Sequence, residues 1–304
     1  MKKTPLVALL VVALLGFALI LFSCKNPKEK QNYTSTAKAE LLMKAFSAEF
    51  KTAWDSGNAK ALTDIFTPDG IRVLGGSQET IVGGSAILES FTAKHAAGSP
   101  LHGSHIIITL TDARFLSDDV VIGSGTFDIL NNADESLDKG KWGNAYKLIK
   151  GKARMVMESA HNTGENTNNI EAVSLPEFTK DGDTSLDKIY ASVARYSRFY
   201  NEKDSESLTS EFIENGVRSV SSSDGIHIGS EQIKESLMMD SDNSLQATVL
   251  GYKKLSESVA VAHGQWIEKD TEGNNVAFGQ WGNVFDISGE QAQLIMESAG
   301  QFVN

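Results

Sequence analysis

The sequence predicts an α+β fold built twice in tandem, each copy a set of three helices packed on one face of a mostly antiparallel sheet. Three observations carry that expectation. The phrase GKWGNAYKLIKGKARMVMESA, residues 140–160, returns without a gap as GQWGNVFDISGEQAQLIMESA, residues 279–299. Upstream, ALTDIFTPDGIRVL from Ala61 aligns with SLTSEFIENGVRSV from Ser207, sharing Leu62/Leu208, Thr63/Thr209, Phe66/Phe212, Gly70/Gly216 and Arg72/Arg218. Within each copy, helical periodicity comes first and a run of strands follows. The offset between copies falls from 146 to 139 residues, mostly around HAAGSPLHG, and a period that long means tandem domains, not a solenoid.

Lys2 and Lys3, an apolar run from Pro5 to Phe22, and then Ser23 and the single cysteine, Cys24, read as a secretory signal over residues 1–23. The apolar run is nearly long enough to cross a bilayer, so an uncleaved anchor is the alternative. LFSC resembles a bacterial lipobox, with Leu21, Ser23 and Cys24 in their places and Phe22 bulkier than usual. The resemblance implies cleavage before Cys24 and acylation of its sulfur and amine, a firmer membrane anchor than one acyl chain provides. A lone exported cysteine has no internal disulfide partner, and a thioether removes that problem. Residues 24–39 then form a flexible tether. Lys25 rather than Asp after the cysteine, and no acidic run in KNPKEKQNYTSTAK, imply an outer-membrane position facing the periplasm.

Without residues 1–23 the chain holds 26 basic against 39 acidic residues, with no basic stripe for nucleic acid. The charge is uneven. Residues 45–160 carry 11 basic and 14 acidic residues, and residues 185–304 carry 9 and 18. That imbalance is a first reason to expect the copies to bind different things.

The first domain is expected over 40–161. Leu42, Ala45, Phe46, Phe50, Ala53 and Trp54 recur at helical spacing, so 40–56 reads as an amphipathic helix. A short helix follows, N-capped by Asn58, with Asp204 in that role in the second copy. GIRVL and TIV read as strands around Gly75 and Gly76, and GGSAILESFTAKHA as a third helix capped by Ser85. Four strands close the copy: His105–Thr111, Val120–Ile129, Lys141–Ile149 and Arg154–Ala160. LSDD, NNADESLDKG and KG are the turns between them. Residues 162–184, polar and rich in Asn, Thr and Gly, form a linker. The second domain, 185–304, repeats this order from the helix containing IYASVARYSRFY.

The segments WDSGNAKALTDIFTPDGIRVL…IVGGSAILESF and YNEKDSESLTSEFIENGVRSV…HIGSEQIKESL resemble the SnoaL-like, nuclear-transport-factor-2-like superfamily. The resemblance implies two tandem cone-shaped domains, each with three helices closing the mouth of a strongly curved, mostly antiparallel sheet. That fold hosts isomerases, dehydratases, cyclases and non-catalytic binding modules, so the site has to be read residue by residue. Isomerase-like members place a proton-moving Asp a few residues into the first strand. The matching positions here are Leu74 and Val220, which carry no proton. No matched Tyr and protonated Asp of the oxyanion-hole kind is found either.

His102 and His105 stand three apart at a strand start, where their side chains point to opposite faces, so no metal pair is expected. His105 is a candidate general base or hydrogen-bond donor, and a solvated or structural histidine is the plainer reading. His263 replaces Ser124 of the first copy, so as a pocket candidate it has no role common to both domains. The only cysteine is at the lipid site and no G-x-S-x-G elbow occurs, which leaves nucleophilic catalysis without support.

Arg72 and Arg218 fall at one place on the first strand, flanked by apolar neighbours. The plainer expectation puts them on the outer sheet face, exposed or bridging to Glu. If they face inward they must recruit a carboxylate, and Glu158 and Glu297 of the repeated MESA are the internal candidates. Trp142, Asn144 and Tyr146 share one strand face, as do Trp281, Asn283 and Phe285. Sheet packing is favoured for them, with pocket lining as the alternative.

The expected function is a membrane-anchored, non-catalytic envelope lipoprotein without cofactor or metal, binding a small amphipathic ligand or a protein partner. The alternative is an isomerase-, dehydratase- or cyclase-type enzyme working in the first domain on a small carbonyl compound, through His105 and Arg72. A third reading has the sheets of the two domains pairing with each other or with a second chain as a homodimer.

Overall fold

The computed structural model describes residues 33, 35–75, 77, 79–163, 174–177, 182–237 and 241–302. The signal segment, Cys24, Gly76 and most of the tether and linker lie outside the described residues. The rest belongs to one compact unit holding two domains of the same order.

The first domain opens with α1 (Ala37–Asp55), whose N-terminus is capped by Thr36 Oγ1 accepting from Ala39 N at 3.2 Å. Asn58 caps α2 (Ala59–Asp64) through a 3.0 Å bond from Ala61 N, as its sequence position predicts. Strands β1 (Phe66–Leu74) and β2 (Ile81–Val82) lead to α3 (Gly84–His95). Ser85 was expected to cap α3 and instead lies inside its first turn. The cap is Gly83 at φ +88°, a left-handed conformation that a residue with a Cβ adopts only under strain. Four longer strands follow: β3 (His105–Phe115), β4 (Val120–Leu130), β5 (Ser136–Ile149) and β6 (Lys152–Asn162). The connection expected over residues 131–140 is shorter than that, because β5 already begins at Ser136.

The second domain repeats this as α4 (Thr184–Asn201), α5 (Ser205–Ser210), β7 (Phe212–Val220), β8 (His227–Ile228), α6 (Ser230–Ser236), β9 (Ser244–Lys254), β10 (Val259–Lys269), β11 (Asn275–Asp286) and β12 (Gln293–Gln301). Asp204 caps α5 as predicted. The sheets run β2-β1-β6-β5-β4-β3 and β8-β7-β12-β11-β10-β9. Among the described residues only β1–β6 and β12–β7 pair in parallel. Each domain is the cone-shaped α+β unit expected, with its helices on the concave face.

Each sheet is buried on both faces. Concave faces pack on helices, as Tyr146 and Met155 do with Met43, Phe46 and Phe91. Convex faces pack on each other, in a second core that draws Ile71, Val73 and Met157 from one domain and Val217, Val284 and Met296 from the other. The contact is close to isologous, so several of its bonds have a counterpart with the domains exchanged. Ser159 Oγ donates to Ser298 O at 3.3 Å and Ser298 Oγ to Ser159 O at 3.2 Å. Lys141 Nζ donates to Val220 O, and its counterpart Gln280 Nε2 donates to Ser77 O, both at 2.9 Å. Arg114 donates to the Asn215 carbonyl, and Lys253 pairs with Asp69 at 2.5 Å.

Two glycines permit this approach. A Cβ on Gly143 would lie 2.9 Å from Ser298 Cβ, and one on Gly282 would lie 2.9 Å from Ser159 Cβ. Two histidines are sealed in the same interface. His161 accepts or donates at Ser159 Oγ (2.9 Å), and burial pushes its pKa down to about 3. His263 meets Thr80 Oγ1 at 3.2 Å, and burial takes it to about 4.

Two outcomes follow for the interface. Gly282→Val should cost about 1–3 kcal/mol by overpacking, read by urea denaturation, and unchanged stability would show that the domains do not meet there. Both histidines fold neutral, with pKa values below the unfolded value of about 6.5, so their contribution is complete above that pH. It is lost as pH falls towards 3–4, at about 1.4 kcal/mol per pH unit for each. Denaturation between pH 7.5 and 4.5 should therefore show a shallower slope in His161→Gln than in the parent.

Candidate functional site

Each cone encloses a cavity between its helices and the concave sheet face. The first has a volume of about 780 Å³ and the second about 340 Å³. At the base of the first, β1 and β6 lie side by side with Arg72 opposite Glu158. Arg72 is buried and lines this cavity on the concave side, so the outer-face expectation is wrong. The inner face of the cone is itself buried, and the guanidinium is held there by a carboxylate. Nε bonds one Glu158 oxygen, Nη2 reaches the other at 3.5 Å, and Nη1 donates to Ser90 Oγ at 3.0 Å. The guanidinium also lies 3.8 Å from the centre of the Phe91 ring.

The second cone repeats the arrangement. Arg218 Nε donates to Glu297 at 3.0 Å, and Nη1 donates to Ser236 Oγ at 3.1 Å. Ser90 and Ser236 were not singled out from the sequence, although they align at the same offset of 146 as the arginines. Tyr196, which stands where the first domain has Phe50, adds a 2.9 Å bond to Glu297. Burial, and then the Glu297 charge, push its hydroxyl far up.

Trp142, Asn144 and Tyr146 line the first cavity, and Trp281, Asn283 and Phe285 the second. They are packing and lining at once. Trp142 covers Gly125 of the neighbouring strand, where a Cβ would come within 2.8 Å of the indole. Trp281 covers Gly264 in the same way, at 2.5 Å. The asparagines clamp the last hairpin. Asn144 Oδ1 accepts from Ser159 N and Asn283 Oδ1 from Ser298 N, both at 2.9 Å, beside register shifts in β5–β6 and β11–β12.

The remaining candidates lie elsewhere. His105 does not line the cavity. It sits partly exposed at the start of β3, with Nε2 3.2 Å from Asp134 on the β4–β5 turn. His263 is likewise no pocket residue, because β10 points it at the other domain. His102 Nδ1 lies 2.8 Å from His95 O and does not approach His105 as a chelating partner. No group of three metal-ligating side chains occurs among the described residues.

Leu74 lines the first cavity and Val220 the second, so the isomerase position faces the cavity in both domains with an apolar side chain. The first cavity is also lined by four ionisable groups that the sequence did not single out, Glu79, Glu89, Lys94 from α3 and Asp138 from β5. Burial, and then Arg72, lower the Lys94 pKa, while burial raises that of Asp138. In the second domain Ala277 aligns with Asp138, and Glu268 with the apolar Ile129.

No family model matches this chain, and no curated protein does. Solved structures do resemble it. A protein of unknown function from Nostoc punctiforme with a cystatin-like fold is 14% identical, covering 42% of this chain and 94% of its own, at a TM-score of 0.37. A nuclear-transport-factor-2-like protein of Novosphingobium aromaticivorans, also cystatin-like, is 15% identical over 49% of this chain and 87% of its own, at 0.36. A further nuclear-transport-factor-2-like protein, from Shewanella oneidensis, is 11% identical over 40% and 98%, at 0.35. Element order and sheet topology, domain by domain, place this fold in the chain twice.

The buried pair carries the first cone's polar end. Glu158→Gln should destabilise the chain by about 3–5 kcal/mol, because it leaves Arg72 buried without its counter-charge. Arg72→Met with Glu158→Leu should recover most of that loss in urea denaturation. A double variant no better than the single would show that the pair's charge is not the issue.

Proposed function

We propose that this chain is a cell-envelope lipoprotein, anchored through Cys24, whose first cone binds a small amphipathic molecule without transforming it. One observation carries the reading. A cavity of about 780 Å³ has apolar walls from Phe46, Phe50, Ile106 and Phe127, a polar end at Arg72, Glu158 and Lys94, and Leu74 at the proton-moving position. A concave, largely apolar volume with a few convergent polar groups suits a ligand with an apolar body and a polar head. Arg72 is already neutralised by Glu158, which suits orientation of a head group better than charge transfer.

The anchor and the outer-membrane, periplasm-facing location rest on the LFSC sequence and on Lys25. Cys24→Ala should move the chain from the membrane to the soluble fraction, and retention in the membrane would count against a lipid anchor. Native mass spectrometry of protein extracted from its own host should show a retained small molecule, lost on Phe50→Arg. Repeated recovery of empty protein would count against the ligand.

A second reading, proton-transfer catalysis in the first cone, is favoured by the raised Asp138 and lowered Lys94 on one cavity. His105 has no part in it. Under that reading Asp138→Asn abolishes turnover of a carbonyl substrate while leaving ligand retention intact.

A further inference from the structure

The two cones share their arginine, glutamate, serine, tryptophan and asparagine, yet they differ in where their hydrogen-bond donors go. In the first cone the indole and asparagine donors are consumed internally. Trp54 Nε1 donates to Ser104 Oγ at 3.1 Å and Trp142 Nε1 to Thr126 O at 3.2 Å. Asn144 Nδ2 donates to the Tyr146 hydroxyl at 3.3 Å. In the second cone Phe285 replaces Tyr146 and carries no acceptor. Asn283 keeps its Oδ1 on Ser298 N, which fixes the amide's orientation and turns Nδ2 to the other side. That Nδ2 has no acceptor among the described residues, although Asn283 is only 8% exposed and lines the cavity. The indole N–H groups of Trp266 and Trp281, which line the same cavity, are also buried without an acceptor.

Buried donors left unpaired are costly, and two such indole N–H groups together with the unpaired Asn283 Nδ2 beside one cavity of about 340 Å³ define what should enter it. The entrant must accept hydrogen bonds. Its charge is constrained by the ionised groups facing the cavity, Arg218 against Glu268 and Glu297, an excess of one negative charge. An anionic acceptor would be repelled by that excess, and a cation would leave the donors unpaired. The tyrosine hydroxyls do not compete for an acceptor, because Tyr196 donates to Glu297 (2.9 Å) and Tyr200 to Glu268 (3.0 Å). We infer that the second cone is a separate binding site for a small uncharged carbonyl compound, a ketone, amide or lactone with an apolar body, whose oxygen is received by Asn283 Nδ2 beside Trp281 and Trp266.

The inference does not depend on what the first cone holds, and it can be read separately. The chain has four tryptophans, two in each cavity, so its indole N–H cross-peaks in a 15N-labelled sample report on each cone once assigned by Trp→Phe variants. The probes are 2-tetralone, its hydrocarbon tetralin and the acid tetralin-2-carboxylate. The expected result is that 2-tetralone shifts the Trp266 and Trp281 peaks and binds about two- to tenfold tighter than tetralin, the increment of one neutral hydrogen bond. Phe285→Tyr supplies Asn283 with the internal acceptor that Asn144 has, and should bring the two affinities together. Tyr146→Phe should do the reverse, opening Asn144 and creating a ketone preference at Trp142, which a merely steric effect of the tyrosine hydroxyl would not do.

Equal binding of ketone and hydrocarbon, tighter binding of the acid, or a preference unchanged in Phe285→Tyr would each overturn the proposal. So would shifts confined to Trp54 and Trp142, or no response of Trp266 and Trp281 at millimolar 2-tetralone. Of these results only shifts confined to Trp54 and Trp142 would bear on the first cone, where they would report a ligand.

Discussion

Everything in this molecule turns on the two-residue alternation of one pair of strands, β6 and β12. Successive side chains on a strand point to opposite faces. In Met157-Glu158-Ser159-Ala160, Met157 enters the core between the domains, Glu158 enters the cone to meet Arg72, Ser159 returns to the interface to bond Ser298, and Ala160 lines the cavity again. Met296 to Ala299 does the same in the other domain. Moving either strand by one residue would put a glutamate into the interdomain core and a methionine against an arginine, so interface and cavity hold each other in register.

The other repeated phrase works by the same alternation. In Gly-x-Trp-Gly-Asn the tryptophan and asparagine face the cavity, while the second glycine faces the other domain, where there is no room for a Cβ. The first glycine receives the aromatic ring of the adjacent strand. A Cβ on Gly140 would come within 2.8 Å of Phe127, and one on Gly279 within 2.6 Å of Trp266. The phrase therefore records two constraints at once, a bent sheet lined by aromatics and a close approach of two sheets. Neither constraint requires catalysis.

This double burial also explains what could and could not be read from the chain. The fold was legible because duplication, helix caps and strand spacing all point the same way, and Asn58 and Asp204 cap the helices they were expected to cap. The side of the sheet on which Arg72 lies was not legible. Strands with one wet face show alternating hydrophobicity, whereas β1 is buried at every position from Gly70 to Leu74 because the second domain replaces solvent. His263 was misplaced for the same reason, since an interdomain histidine and a pocket histidine both look like a polar residue in an apolar strand. Lys94 and Asp138 come from different elements with no shared motif, and only the closed cone brings them to one cavity.

The cones themselves have diverged where the interface does not restrain them. Phe50, Ile129, Asp138 and Tyr146 of the first domain align with Tyr196, Glu268, Ala277 and Phe285 of the second, and all eight side chains stand on the concave side of their sheets. Across the convex faces several pairs keep their chemistry, although His263 stands where the first domain has Ser124. Serine meets serine, glycine makes room for the opposite strand, and Lys141 and Gln280 both reach a backbone carbonyl of the other domain. Joining two cones back to back in one chain thus separates two demands that a single sheet would otherwise mix. The outward-pointing half of each strand is committed to stability, and the inward-pointing half is free to change its charge and its hydrogen-bond donors one cavity at a time.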